Sequence, residues 1–312
     1  MHSSGDPQPI RPPRLFPGAR VALVAPAGPL AEERVARSLE LCARLELEPR
    51  LGAAARARHG YLAGTDEARA ADLVAALRDE DVDAVWALRG GYGTMRILDR
   101  CGLESAGLRP RVFLGFSDNT AVHAALGRQG LVSFHSPHPG GAFPPTTEEV
   151  FRRVLFPADA AGALPLPPGA APPRTLVPGV AEGPLVGGNL ALLAALCGTP
   201  FAPRTAGAIL VIEDVGEPAY RVDRGLTQLR LAGLLEGVAG LALGRFTESP
   251  ADEPPELLEE LLGQTARDLG VPAVVGLPVG HVDENWTLPL GVRARLAADG
   301  AGSLTLLEPA VT

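Results

Sequence analysis

Three separated stretches carry residue types that can attack a carbonyl or move a proton. The first is VFLGFSDNTAVHAAL, Val112 to Leu126. An apolar strand-like run meets Gly115, Phe116, Ser117 and Asp118, and Ala121, Val122 and Ala125 then follow at helical spacing. Strand, sharp turn and helix in that order resemble the G-x-S-x-G elbow that lifts a serine hydroxyl above a sheet, with Asn119 in place of the second glycine. Helix capping by Ser117 or Asp118 is the competing reading, and the turn alone does not choose. The second stretch is ILVIED, in which Ile209 to Ile212 delivers Glu213 and Asp214 at a strand end. Asp214 reads as a rim or capping residue; Glu213, the first polar group after the run, can orient a partner or exchange a proton. The third is His281, in a loop after an apolar strand, where a neutral imidazole can both accept and donate near pH 7. An ordinary surface histidine fits that context as well.

RGGYG, Arg89 to Gly93, ends the apolar strand Asp83 to Leu88. Its glycines let the backbone expose N–H groups toward an anion or oxyanion, although a plain strand-to-helix turn has the same composition. Its value is positional, because open α/β sheets place ligands at the carboxyl ends of neighbouring strands. His135 and His138 have H-x-x-H spacing, but their proline-containing extended segment does not turn both rings to one side, so they read as a loop lining the crevice. His123, on the elbow helix, reads as a partly buried helix residue.

The elements that position these residues follow from periodicity. RVALVA (Arg20 to Ala25) is a buried strand, and Val35, Leu39, Cys42 and Leu45 mark one face of the next helix. Thr65 caps a second helix with Asp66 and Glu67 at its positive end and Ala70, Leu73, Val74 and Leu77 as its stripe. Repeated βα units predict an N-terminal open parallel sheet with helices on both faces. From Gly140 to Gly179, after a short helical piece near Glu148 to Leu155, proline, alanine and glycine crowd together, which reads as a connector with extended character. Beyond it the strands around GGN (Gly187 to Asn189), at Ile209 to Ile212, at Gly240 to Gly244 and at PAVVG alternate with helices, and a hairpin near Asp299 to Gly302 closes the chain. The expected division is a loose tail at 1–17, an N-terminal domain at 18–140, a connector at 141–178 and a C-terminal α/β domain with mixed β structure at 179–312.

Composition narrows the chemistry. At 312 residues two domains are the default, and no apolar run approaches the roughly 20 residues of a membrane span. A net charge of −8 without a basic cluster argues against nucleic acid as a partner. All 28 basic residues are arginine. The lack of lysine excludes a Walker A loop, a Schiff-base enzyme and a Ser-Lys dyad, each of which needs an amine. Three widely spaced cysteines in apolar sequence read as buried thiols of a reducing compartment, and with no signal-like segment the inferred location is cytoplasmic. No metal or other cofactor is expected.

Ser117, Glu213 and His281 stand in the chain order of α/β-hydrolase triads, which by itself is weak support because unrelated folds reach that geometry in other orders. A more specific resemblance spans Arg20 to Gly291. YLAGTDEARAADL, RGGYG, GFSDNT, GGNLALLAALCGTP, IEDVGEPAYRVDR and GLPVGHVDENWTLPLG together resemble the LD-carboxypeptidase family of serine peptidases, which includes muramoyltetrapeptide carboxypeptidases and the microcin C immunity peptidases. One departure is HSP at His135 to Pro137, where relatives usually have His-Gly-Pro. The resemblance implies a flavodoxin-like N-terminal domain carrying the nucleophile Ser117, and a smaller C-terminal domain carrying Glu213 and the base His281. It further implies hydrolysis of the L,D-peptide bond before the terminal D-alanine of a peptidoglycan tetrapeptide, in wall recycling, with a small muropeptide as substrate. Backbone N–H groups of Asp118 and Gly91 are the expected oxyanion donors, and Arg89 the expected holder of the substrate carboxylate. An immunity-type peptidase acting on an aminoacyl nucleotide, a non-catalytic two-domain ligand binder and a homodimeric assembly all stay open at this point.

Overall fold

The computed structural model describes residues 9–103, 108–251 and 253–312. The first half alternates strand and helix: β1 (Arg20–Val24), α1 (Glu32–Arg44), β2 (Glu48–Leu51), α2 (Asp66–Arg78), β3 (Ala84–Ala87), α3 (Leu98–Cys101), β4 (Val112–Gly115), α4 (Thr120–Arg128), β5 (Ser133–His135) and α5 (Pro145–Leu155). β3 and β4 are buried at every residue, as strands covered by helices on both faces must be. Their parallel pairing gives the order β2-β1-β3-β4-β5, the flavodoxin-like order, whose switch point lies between β1 and β3. Thr65 caps α2 by accepting from the Ala68 N–H at 3.2 Å.

The second half contributes β6 (Gly162–Ala163), β7 (Arg174–Val177), β8 (Gly179–Asn189), α6 (Leu190–Ala195), β9 (Ile209–Val215), α7 (Ala219–Leu231), β10 (Gly240–Thr247), α8 (Pro255–Leu269), β11 (Ala273–Val275), β12 (Leu288–Leu290), β13 (Arg293–Ala298) and β14 (Ser303–Leu306). All of these strands but β12 order themselves as one mixed sheet of eight, β6-β14-β13-β8-β9-β10-β11-β7, parallel from β8 to β11 and antiparallel at both ends. The architecture is thus an α/β arrangement of two sheets with helices.

β12 does not stay with its neighbours in sequence. It pairs antiparallel with β5, setting Leu288 opposite His135 and Leu290 opposite Ser133, and so extends the first sheet to six strands. One apolar cluster accordingly runs from Val21, Trp86 and Phe134 through Trp286 and Leu288 to Leu185, Ile209 and Leu296. The two sheets share this core, which fixes the crevice between them.

The tail is more ordered than expected, while the connector has the expected helical piece and extended character and packs both. Of the 1–17 tail, residues 1–8 lie outside the described residues, while 9–17 pack: Ile10 bridges to Leu131, Leu15 is 1% exposed, and the Arg14 N–H donates to the Thr312 carbonyl. Proline-rich composition missed this because Leu15 buries its side chain in the core cluster. In the 141–178 connector, α5 packs Phe151 in a stack on Trp86, with ring centroids 5.1 Å apart, and β7 adds an edge strand beside β11. Cys42 and Cys101 are buried and Cys197 half-buried; burial pushes the Cys42 thiol up to about 12. No helix among the described residues is long and apolar enough to cross a membrane.

Candidate active site

β4 ends in a backbone turn that no ordinary residue favours. Phe116 is extended, Ser117 has φ +61°, in the left-handed region that disfavours a side chain, and a single 3-10 turn at Ser117–Asn119 leads into α4. Neither Ser117 nor Asp118 caps that turn with its side chain. The Asp118 carboxylate instead accepts from the Thr94 N–H at 2.7 Å, tying the turn to the RGGYG loop. A Cβ on Gly90 would lie 2.8 Å from the Ser117 Cβ and 2.9 Å from its Oγ, so only glycine lets that loop lie beside the hydroxyl. Buried Arg69 secures the far side of the loop by donating to the Gly93 carbonyl at 2.9 Å.

The C-terminal half supplies the partner groups. β9 carries Glu213 into full burial, and the loop after β11 brings His281 over it. His281 Nδ1 lies 2.8 Å from Glu213 Oε2, and Nε2 lies 3.0 Å from Ser117 Oγ. A carboxylate that accepts from Nδ1–H leaves the Nε2 lone pair facing the serine hydroxyl, the tautomer a general base requires. Gly280 has φ +115°, and a Cβ there would stand 2.7 Å from Glu213 Oε2. The Gly280 N–H donates to Asn285 Oδ1 at 3.1 Å, fixing the loop from below.

This geometry has relatives. Residues 21–136 match the LD-carboxypeptidase N-terminal domain and residues 182–296 the LD-carboxypeptidase C-terminal domain. The chain belongs to the LD-carboxypeptidase family. It is 38% identical to the murein tetrapeptide carboxypeptidase of Pseudomonas aeruginosa, over 89% of this chain and 92% of that one. The crystal structure of a muramoyltetrapeptide carboxypeptidase from Oxalobacter formigenes superposes with a TM-score of 0.81 at 30% identity, covering 94% of this chain and all of the other. The microcin C7 self-immunity protein MccF, in complex with aspartyl sulfamoyl adenosine, superposes with a TM-score of 0.87 at 22% identity over 97% of this chain, a likeness of fold. The protein is therefore a hydrolase, a serine-type LD-carboxypeptidase.

Of the residues picked out in the sequence of this LD-carboxypeptidase, Ser117, His281 and Glu213 meet in one hydrogen-bonded chain, and Gly90, between Arg89 and Gly91, lies against the serine. His135 and His138 are placed differently from the crevice-lining loop expected for them, whereas His123 is a buried helix residue, as expected. His135 sits within β5 with no exposure, and His138 is buried against Asn119, 3.3 Å from its Nδ2. His123 is held between Ser133 Oγ at 2.9 Å and the Gly115 carbonyl at 2.8 Å. Burial holds all three below the ordinary imidazole range, His123 at about 4, so they stay neutral where His281 faces the serine. The β5 strand, paired along both edges with β4 and β12 inside the sheet, is what removes His135 from the crevice.

Several supporting residues carried no signal strong enough to be singled out. The Phe116 ring rests against His138 and His281 at centroid distances of 4.3 and 4.9 Å. Asn189, at the end of β8, joins the two halves: its N–H donates to Thr120 Oγ1 at 3.0 Å, and its Nδ2 donates to Asp214 Oδ1 at 2.8 Å. Asp214, read as a rim or cap, is 4% exposed and also accepts from the Ala191 N–H at 3.0 Å near the start of α6. Burial raises both Asp118 and Asp214 above the usual carboxylate range, with the hydrogen bonds opposing. The GGN turn before α6 was the one visible hint of Asn189.

Proposed function

We propose that Ser117, His281 and Glu213 form the triad that hydrolyses the L,D-peptide bond before the terminal D-alanine of a murein tetrapeptide, in cytoplasmic wall recycling. The observation that carries this reading is the Ser117 Oγ to His281 Nε2 contact of 3.0 Å, with the second ring nitrogen 2.8 Å from a fully buried glutamate. The murein specificity of relatives at 30–38% identity supports the substrate.

His281 removes the Ser117 proton as Oγ attacks the scissile carbonyl, and Glu213 stabilises the imidazolium. The oxyanion forms beside the N–H groups of Asp118 and Gly91, a placement favoured by the glycine-only contact between Gly90 and the serine. His281 then returns its proton to the departing D-alanine nitrogen. Water attacks the acyl ester with His281 again as base, which frees the tripeptide acid and restores the serine. Arg89 holds the terminal carboxylate, leaving the Asp118 and Gly91 donors to the carbonyl oxygen.

Incubating purified murein tetrapeptide with wild type and Ser117→Ala tests the reading. Wild type is expected to release D-alanine and Ser117→Ala to release almost none. Substantial release by the alanine variant removes Ser117 from the mechanism. Release by neither, with turnover of an aminoacyl-nucleotide amide by wild type, moves the chain to the immunity-type reaction.

A further inference from the structure

Arg89 and Gly91, which flank the Gly90 that lies against Ser117, line a pocket of about 380 Å³ together with Arg58, Tyr61 and Tyr92. Among the described residues no carboxylate lines it, an unusual surrounding in a chain of net charge −8. Arg89 spends Nε on the Gly90 carbonyl at 3.2 Å and Nη1 on the Pro29 carbonyl at 3.0 Å. Its Nη2 makes no bond among the described residues and lies 3.4 Å from where a Gly91 Cβ would stand. Arg58 is exposed and has no ion pair or side-chain hydrogen bond among the described residues. A third guanidinium, Arg34, is close enough to Arg89 to feel its charge. Beyond the arginines the Tyr61 and Tyr92 rings pair with centroids 5.8 Å apart, although both are largely exposed, at 66% and 51%. Side by side, the two rings form an amphipathic wall of that pocket, the Tyr92 hydroxyl bonded to Arg96.

We infer that Arg58 and the Tyr61–Tyr92 pair complete the subsite for the last residue of the substrate. Arg58 and Arg89 share the free terminal carboxylate, and the two rings wall the pocket beyond it, so that a chain continuing past that residue is refused. Two guanidinium forks on one carboxylate use donors that are otherwise idle, and a free carboxylate is the one group that marks a chain end. The inference rests on the carboxypeptidase reading above and extends it from the bond cleaved to the basis of end-recognition.

The test compares a tetrapeptide bearing a free terminal carboxylate, the same peptide with a terminal carboxamide, and the peptide lengthened by one residue. Wild type is expected to favour the free acid in kcat/KM. In Arg58→Gln that preference falls about tenfold or more, chiefly through KM, and Arg58→Lys recovers part of it. Combining Tyr61→Ala with Tyr92→Ala raises dipeptide release from the lengthened peptide relative to D-alanine release from the tetrapeptide. An Arg58→Gln variant that keeps the wild-type preference overturns the subsite. Calorimetric binding of the acid and the amide to Ser117→Ala separates this failure from that of the reaction. If wild type cleaves neither peptide but the acid still binds more tightly through Arg58, the subsite stands and the assigned reaction falls. If acid and amide bind alike, the subsite is wrong.

Discussion

The two halves of the crevice hold their reactive groups by different means. On the N-terminal side, Ser117 is placed by backbone: a left-handed φ of +61°, a neighbouring loop admitted only because Gly90 lacks a Cβ, and a carboxylate, Asp118, clamped to the Thr94 N–H. On the C-terminal side, His281 is placed by side chains, with Glu213 on one nitrogen, Asn285 under its loop and the Phe116 ring against its face. A nucleophile must meet a carbonyl at one angle, which stiff backbone provides. A base must take up and give back a proton, and a hydrogen-bonded imidazole, 21% exposed, keeps that freedom.

Perturbing each side should therefore leave a different signature. The largest effects belong to the groups that exchange the proton: Ser117→Ala and His281→Ala are each expected to lower kcat by on the order of 10⁴ or more, and the double variant no further than the worse single one. Multiplying losses in steady-state kinetics would show that the two do not act as a unit. Gly90→Ala comes next. Its new methyl would meet the Ser117 Cβ at 2.8 Å and push the loop away from the serine, so kcat should fall by about 10²-fold, with a smaller drop in thermal midpoint than at Gly280 because no left-handed φ is forced on the alanine. Gly280→Ala, by contrast, meets Glu213 and also forces alanine to φ +115°, and should cost roughly 1–2 kcal/mol of stability along with activity. Equal thermal midpoints for the two variants would erase the proposed contrast.

The buried histidines give a third effect, in stability. His123, His135 and His138 have folded pKa values below the ordinary value of about 6.5. The unfolded chain therefore binds their protons first as pH falls. Their contribution is complete above pH 6.5 and is lost on acidification, for His123 by about pH 4. Urea unfolding should show stability dropping by about 4 kcal/mol per pH unit near pH 5.5 if all three take part, at roughly 1.4 kcal/mol per proton. A slope of about 2.8 kcal/mol per pH unit would place one of them in water, and a flat profile would contradict the burial of all three. The smallest effect on rate is expected at the seam: Asn189→Ala leaves Asp214 short of one donor and should cost about 1–3 kcal/mol of stability, with a smaller loss of rate than at Gly90.

Much of this site was legible because its parts announce themselves locally. A buried strand running into Gly115-Phe116-Ser117 shows the turn, Glu213 follows four apolar residues, and His281 stands between glycine and polar neighbours in a loop. The first sheet was legible for the same reason, since strands buried on both faces are written as unbroken apolar runs. What stayed hidden depends on partners far away in sequence. β12 joins the first sheet across more than half the chain, Leu15 finds the core from a proline-rich segment, and Thr120 meets Asn189 across the two halves. The seclusion of His135 follows from that same β5–β12 pairing, so reading it from H-x-x-H spacing could only give an open loop.

The central claim, that backbone on one side and a hydrogen-bonded imidazole on the other jointly activate Ser117, is tested most directly by covalent trapping. A fluorophosphonate, whose phosphorus bonds the serine oxygen as fluoride leaves, would be followed by intact mass and peptide mapping in wild type and His281→Ala. The account predicts a single adduct on the peptide containing Ser117 and labelling at least 100-fold slower without the histidine. An adduct on another residue, or equal labelling rates in the two proteins, would contradict it.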